Sequence, residues 1–136
     1  MHTTNYYNTF IQVADDCPVT VAEVPPVKGD HKTIANIQFN MMAYHPYEFT
    51  SDDVVFEAYA RKNNISGAEK QAAREQYFLK GQACLRSSTL AKRYGWGIHS
   101  NADGKVAIYG LGSKEYVQCS HDKTLKQLKA MRSKRV

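Results

Sequence analysis

The feature that most limits how this chain can fold is a pattern of strand alternation across residues 95–110. Large apolar side chains stand at every second position on both sides of a polar stretch: Trp96, Ile98, Val106 and Ile108. The polar stretch, Asn101-Ala-Asp-Gly104, supplies turn residues and ends on a glycine that tolerates a positive φ. The pattern therefore predicts a β-hairpin, and with it an antiparallel sheet.

Other segments carry the strand and helix signals that surround this hairpin. Tyr6–Ala14 is rich in aromatic and β-branched residues, which favours a first strand, and Tyr116 with Val117 favours another extended segment. Apolar residues recur at helical spacing in several places: 33–44, a segment that opens at Thr50, 66–79, a short stretch at 89–94 and 122–135. We expect an α+β fold, a single globular domain over residues 1–136 in which about four helices cover a small antiparallel sheet.

The composition is that of a folded domain in a reducing compartment. Hydrophobic residues make up 43% and charged residues 23% of the 136 positions, which favours neither a disordered nor a membrane-spanning class. Residues 1–10 lack the basic and apolar regions of a signal peptide. Three widely spaced cysteines argue against a disulfide framework. We expect a cytoplasmic protein with no membrane association, no cofactor and no metal site.

Charge is divided unevenly between the two halves of the chain. Residues 1–79 carry six basic and ten acidic side chains, a net charge of −4, whereas residues 80–136 carry twelve basic and three acidic ones, a net charge of +9. Such asymmetry is typical of proteins that meet anions. We expect the basic C-terminal half to receive an anionic partner, either a phosphorylated metabolite or nucleic acid. No known DNA- or RNA-reading motif accompanies the charge.

The segment from Arg86 to His99 concentrates side chains that can contact a ligand. Arg86, Lys92 and Arg93 can hold a phosphate or carboxylate, and Trp96 can stack on a ring. These four residues form the predicted ligand-binding set. A purely structural interpretation is also open, in which the cations lie on a solvated helix face and Trp96 anchors the core.

Two residues support an alternative interpretation of the chain as an enzyme. His99 titrates near neutral pH, which suits acid–base chemistry, and Cys84 can act as a nucleophile if folding brings the two together. The alternative function is a small hydrolase or transferase that uses His99 with Cys84 or with a carboxylate. Cys84 also lies between apolar neighbours, where an inert buried thiol is expected. A third hypothesis is a homodimeric assembly module that buries Trp96 or the aromatic-rich N-terminus.

The acidic pair Asp52-Asp53 illustrates how a site-like motif can have a structural explanation. Two carboxylates can serve as a general acid or as ligands of a divalent metal. Here they directly follow Thr50-Ser51, an order that is typical of a helix N-terminus, where a hydroxyl caps free N–H groups and acids face the positive end of the helix dipole. The pair therefore predicts a capped helix.

Six short strings spread over the chain together resemble a family that is catalogued only as a domain of unknown function. They are Asn8-Thr-Phe-Ile11, Asp15-Asp-Cys-Pro18, Pro46-Tyr-Glu-Phe-Thr-Ser-Asp-Asp-Val54, Lys80-Gly-Gln-Ala-Cys-Leu-Arg86, Lys92-Arg-Tyr-Gly-Trp-Gly-Ile-His99 and Ala130-Met-Arg-Ser-Lys-Arg135. The resemblance spans essentially the whole chain and implies a small, independent, mostly bacterial protein. It implies no activity and transfers no catalytic or binding residue.

Overall fold

A computed structural model describes residues 1–133 as one four-stranded sheet with five α-helices, which confirms the predicted α+β class. The strands are β1 (Thr9–Gln12), β2 (Trp96–Ser100), β3 (Val106–Gly110) and β4 (Lys126–Lys129). The helices are α1 (Ile34–Tyr44), α2 (Ser51–Lys62), α3 (Lys70–Tyr77), α4 (Thr89–Lys92) and α5 (Lys114–Ser120). One 3₁₀ turn, Leu85–Ser87, precedes α4. None of the helices described is long and apolar enough to cross a membrane.

The predicted hairpin is confirmed. β2 pairs with β3 antiparallel in a register that places Ile98 opposite Ile108, and Gly104 ends the turn with a φ of 78°. The sheet has the order β3-β2-β1-β4. β1 is antiparallel to β2 but parallel to β4, so the sheet is mixed.

The C-terminal segment is the largest departure from the predicted secondary structure. The helix expected over 122–135 is a strand, β4, whose start and end are held by β1 through Lys126 N–H to Asn8 C=O (2.8 Å) and Ala130 N–H to Gln12 C=O (2.9 Å). In this strand, side chains two residues apart point to the same face of the sheet. Leu128 packs against the core and Ala130 is buried. The last two positions of the predicted helix, 134 and 135, lie outside the described residues.

Local capping explains why α1 and α2 begin where the sequence predicts. Thr33 and Thr50 each accept a hydrogen bond through the side-chain oxygen from the backbone N–H three residues on. The side-chain oxygens of Asn36 and Asp53 in turn accept from the backbone N–H of the cap residue. Each helix therefore starts with a reciprocal pair of bonds that satisfies free N–H groups. α3 is shorter than the predicted 66–79.

The sheet is covered on both faces. α1 and α4 lie over the face that carries Ile11, Ile98 and Ile108, and these side chains form the main core. α5 lies over the other face, where Tyr116 packs edge-on against Phe10 with ring centroids 5.1 Å apart. Tyr116 and Val117 are therefore helical, and the extended segment predicted there is wrong. α2 packs outside α1, and α3 packs on α2.

Candidate functional site

Arg86 forms hydrogen bonds to the end of strand β4 through both its side chain and its backbone. Its Nε–H donates to the backbone carbonyl of Lys129 at 2.8 Å, and its own carbonyl accepts from Met131 N–H at 2.9 Å. Both bonds connect the 3₁₀ turn to the end of β4. The side chain predicted to clamp an anion therefore already has a structural partner.

Lys92 and Arg93 lie at the C-terminal end of α4. Lys92 is half-buried and Arg93 is exposed, and within residues 1–133 neither side chain takes part in a hydrogen bond or an ion pair. Neither lines the two cavities described below. Their role in ligand binding stays a prediction.

Trp96 behaves as a core anchor with a polar tip. Its ring packs edge-on against Phe39 of α1 with centroids 5.2 Å apart, and its Nε1–H donates to the carbonyl of Glu23 at 2.8 Å. A half-buried tryptophan that packs on the core and whose N–H has an acceptor needs no ligand to explain it. Gly95 before it has a φ of 81°, a conformation that glycine adopts at little cost.

Folding does not join Cys84 to His99. Cys84 Sγ lies 3.3 Å from the Tyr6 hydroxyl, near Arg86, whereas His99 Nδ1 lies 2.8 Å from the Tyr47 hydroxyl. The two side chains share no hydrogen bond in the described part of the chain. A thiol and base that act together must be within hydrogen-bonding reach. The catalytic roles of both residues stay predictions.

His99 instead ends a chain of three polar side chains. The Tyr47 hydroxyl lies 2.6 Å from that of Tyr109 and 2.8 Å from His99 Nδ1. Burial lowers the pKa of His99, and the charge of Asp122 offsets part of that effect. The imidazole is therefore neutral near pH 7 and offers one donor and one acceptor. Burial and the Tyr109 hydroxyl raise the pKa of Tyr47, which keeps its proton.

Tyr47 reaches this position through an uncommon backbone conformation. Its φ is +61°, in the left-handed region that costs free energy for residues with a side chain. The backbone around it is held by β3, because Tyr47 N–H donates to the Val106 carbonyl and Val106 N–H donates to the Phe49 carbonyl, both at 2.9 Å. The Tyr47 ring lies nearly perpendicular to the His99 ring, with centroids 5.5 Å apart.

A concave feature with charged walls lies elsewhere, between α1, α2 and α3. It is a cleft of about 690 Å³, within the range of small-molecule sites, and we call it the interhelical cleft. It is lined by Lys32, Asn40, Met41, His45, Phe49, Asp53, Phe56, Glu57, Arg61, Lys70, Gln71 and Arg74. None of the predicted ligand-binding residues is among them.

Ion pairs organise the charges of the interhelical cleft. Asp53 binds Arg74 at 2.8 Å, and Glu57 binds both Arg61 at 2.7 Å and Lys70 at 2.9 Å. Lys32 forms no ion pair within residues 1–133. With His45 counted as neutral, four cations face two carboxylates, so the cleft lining has an excess of two positive charges.

The two carboxylates of the cleft are ionised. Burial acts to raise the pKa of Asp53, but hydrogen bonds from Thr50 and Arg74 outweigh it and the pKa is lowered. For Glu57 burial is likewise outweighed, by Arg61 and Lys70, and the pKa is lowered. Each acid therefore remains charged at neutral pH and holds its cationic partners in place.

Sequence reasoning missed this cleft, although one signal was present. Asp53, Glu57 and Arg61 follow each other at intervals of four, which places them on one face of α2. From the sequence alone, the position of Asp53 at the start of α2 already explains its carboxylate. Lys32, which precedes α1, and Arg74, in α3, line the cleft beside this face of α2. No short sequence pattern predicts that these elements come together.

The part of the chain that the structure describes contains no group of three or more His, Cys, Asp or Glu side chains that could hold a metal ion. The absence of a metal or cofactor stays a prediction.

The fold and the cleft place the protein in a structural class, small α+β proteins with a charged cleft between helices, but they do not identify an activity. All of residues 1–136 match the model of a family described as a family of unknown function (DUF6157), and the chain belongs to that family. This confirms the resemblance seen in the sequence. Neither the curated proteins nor the solved structures that were compared contain a match to the chain.

Proposed function

We propose that this protein binds an organic anion with an apolar body in the interhelical cleft. The observation that carries the proposal is the excess of two positive charges around an apolar floor. Positively lined clefts with low-dielectric walls concentrate anions. The predicted class of partner, an anionic small molecule, is therefore kept, but the proposed position moves from the basic C-terminal half to the cleft.

The cationic side chains are held ready for a ligand. Lys70 and Arg74 are each about two-fifths exposed while they are paired with Glu57 and Asp53, so they keep free donors toward the cleft. Arg74 is also fixed over the rings of Phe56 and Phe78, at 5.9 and 5.7 Å from their centroids. Side chains that are already immobilised lose less entropy when a ligand binds.

The floor of the cleft favours a ligand with an apolar part. Met41 and Phe56 are at most 6% exposed, and Phe49 packs beside them against the core. Apolar ligand surface placed there leaves water at about 25 cal/mol per Å². A simple inorganic anion would use the cations but not this floor.

A fluorescence titration with anilinonaphthalene sulfonate, an aromatic anion, tests the proposal. Its neutral counterpart, phenylnaphthylamine, has the same rings without the sulfonate. We expect the sulfonate to bind the native protein, and the double variant Lys32→Ala, Arg61→Ala to bind it about tenfold more weakly, a change of roughly 1.4 kcal/mol. Binding of the neutral probe should not change.

The matched control removes the same charge at a distance. Lys123→Ala, Lys126→Ala changes two exposed residues outside the cleft and should leave the affinity for the sulfonate unaltered apart from weak long-range screening. Near-ultraviolet circular dichroism checks that each variant keeps its packing, because loosened proteins also bind this probe. Equal loss of affinity in the two double variants would overturn the proposal.

A further inference from the structure

A second cavity, of about 250 Å³, lies on another side of α2 and shares no lining residue with the interhelical cleft. It is bounded by α1, α2 and the segment 83–88. Tyr59 and Tyr77 line it, with ring centroids 4.5 Å apart. We call it the Gln38 cavity after the polar side chain at its base.

Gln38 has an unused donor in this cavity. The residue is 5% exposed, and its Oε1 accepts a hydrogen bond from Ser88 Oγ at 2.6 Å. Ser88 Oγ in turn accepts from Leu90 N–H, so its single hydroxyl proton is directed to Gln38. Within residues 1–133 no group accepts a hydrogen bond from Gln38 Nε2.

A buried donor of this kind is costly unless something accepts from it. Leaving a buried amide N–H without an acceptor costs about 1–3 kcal/mol. Gln38 Nε2 is not sealed inside the protein, because it is not among the fully buried unsatisfied atoms. The donor therefore faces the cavity, where water or a ligand can accept from it.

Two further side chains give the Gln38 cavity its chemical character. Lys62 lies on its lining, is exposed, and has no ion-pair partner within the described residues. Cys84 also lines the cavity and places a thiol beside the Tyr6 hydroxyl, at 3.3 Å. The lining therefore combines an amide donor, a positive charge and aromatic surface.

We infer that the Gln38 cavity is a second small-molecule site, for a small aromatic carboxylate whose oxygen accepts from Gln38 Nε2. Its charge is complementary to Lys62 and its ring packs against the tyrosines. This inference is independent of the proposed function, because the two sites share no residue.

Cys84 provides a reporter inside the cavity. In the full-length variant Cys17→Ser, Cys119→Ser, the only thiol is Cys84. Iodoacetamide alkylates it by forming an S–C bond, expelling iodide and releasing the thiol proton to solvent. The rate, followed by mass spectrometry, is compared with and without benzoate, and with benzyl alcohol as a neutral molecule that carries the same ring.

We expect benzoate at tens of millimolar to slow alkylation of Cys84 by at least about threefold through mass action, and benzyl alcohol to have little effect. Gln38→Leu should abolish the protection. Since this variant also removes the acceptor of Ser88, its folding is checked by thermal melting. Lys62→Ala, at an exposed position, should weaken the protection without affecting folding, and Lys80→Ala serves as its matched control.

Three results would overturn the inference. Benzoate that gives no protection would mean that water alone fills the cavity. Equal protection by benzyl alcohol would mean that no carboxylate is recognised. Equal protection in folded Gln38→Leu or in Lys62→Ala would mean that benzoate binds elsewhere.

Discussion

At Gly97 two aromatic rings already occupy the space of a side chain. A Cβ built at this position lies 2.4 Å from Phe10 Cζ and 2.7 Å from Tyr116 Cε2, far inside contact distance. Both rings are buried between the sheet and α5. Packing therefore restricts this position to glycine.

Gly97→Ala should lower the free energy of unfolding by about 2–3 kcal/mol, because neither ring can move aside without disturbing the core. Gly67→Ala is the matched control, since its Cβ meets no atom within 4 Å and its φ is not positive. The control should change stability by less than about 0.5 kcal/mol. Urea denaturation measures both, and equal effects would contradict this explanation.

His99 should make stability depend on pH in a defined direction. Its pKa in the folded protein is lowered, so the unfolded chain binds the proton more readily. The contribution of His99 to the free energy of unfolding therefore has its full value above about pH 6.5, the ordinary pKa of histidine. This contribution is lost as the pH falls through the lower pKa of the folded protein. Replacing His99 with Gln should remove this part of the pH dependence.

An NMR titration of the imidazole checks the cause. Asp122→Asn should lower the pKa of His99 further, because the carboxylate of Asp122 favours the imidazolium. The same titration with Asp103→Asn, an exposed acid that does not influence His99, should give the native value. A rise in the pKa in the Asp122 variant would contradict the assigned role of this residue.

At the scale of elements, β4 depends on partners that are distant in sequence. Arg86→Ala removes the Nε–H donated to the Lys129 carbonyl and should reduce stability by about 1–2 kcal/mol. Arg93→Ala, an exposed arginine without a side-chain partner in residues 1–133, should change stability by less than about 0.5 kcal/mol. Chemical denaturation of both variants provides the comparison; equal values would show that Arg86 does not brace β4.

The elements that sequence reasoning predicted correctly are those specified locally. The hairpin has its turn glycine at position 104, and α2 has its cap at Thr50 with Asp53 three residues on. β4 is different, because Leu125, Leu128 and Met131 fit a helix spacing and only pairing with β1 makes the segment a strand. Tertiary pairing overrode the local pattern.

At the scale of the whole molecule, the net charge of a sequence half does not predict where a positively charged cleft forms. The basic residues near the C-terminus partly serve the fold, since Lys129 and Arg132 pair with Asp15 at 2.6 and 3.4 Å. All residues that line the interhelical cleft belong to the half of the chain with a net charge of −4. Its lining nevertheless contains more cations than carboxylates, because the fold brings Lys32 and Arg74 together with the charged face of α2. The net charge of residues 1–79 cannot reveal this excess, because the excess depends on how three helices pack together.

An NMR titration that locates the bound anion tests directly whether the interhelical cleft is the binding site. Amide resonances of the native protein are followed as anilinonaphthalene sulfonate is added. We expect the largest shifts at Met41, in 53–57 and in 70–74, around the interhelical cleft. Largest shifts at Arg93 and in 123–132, with the cleft unaffected, would contradict this expectation and place the anion on the basic C-terminal half instead.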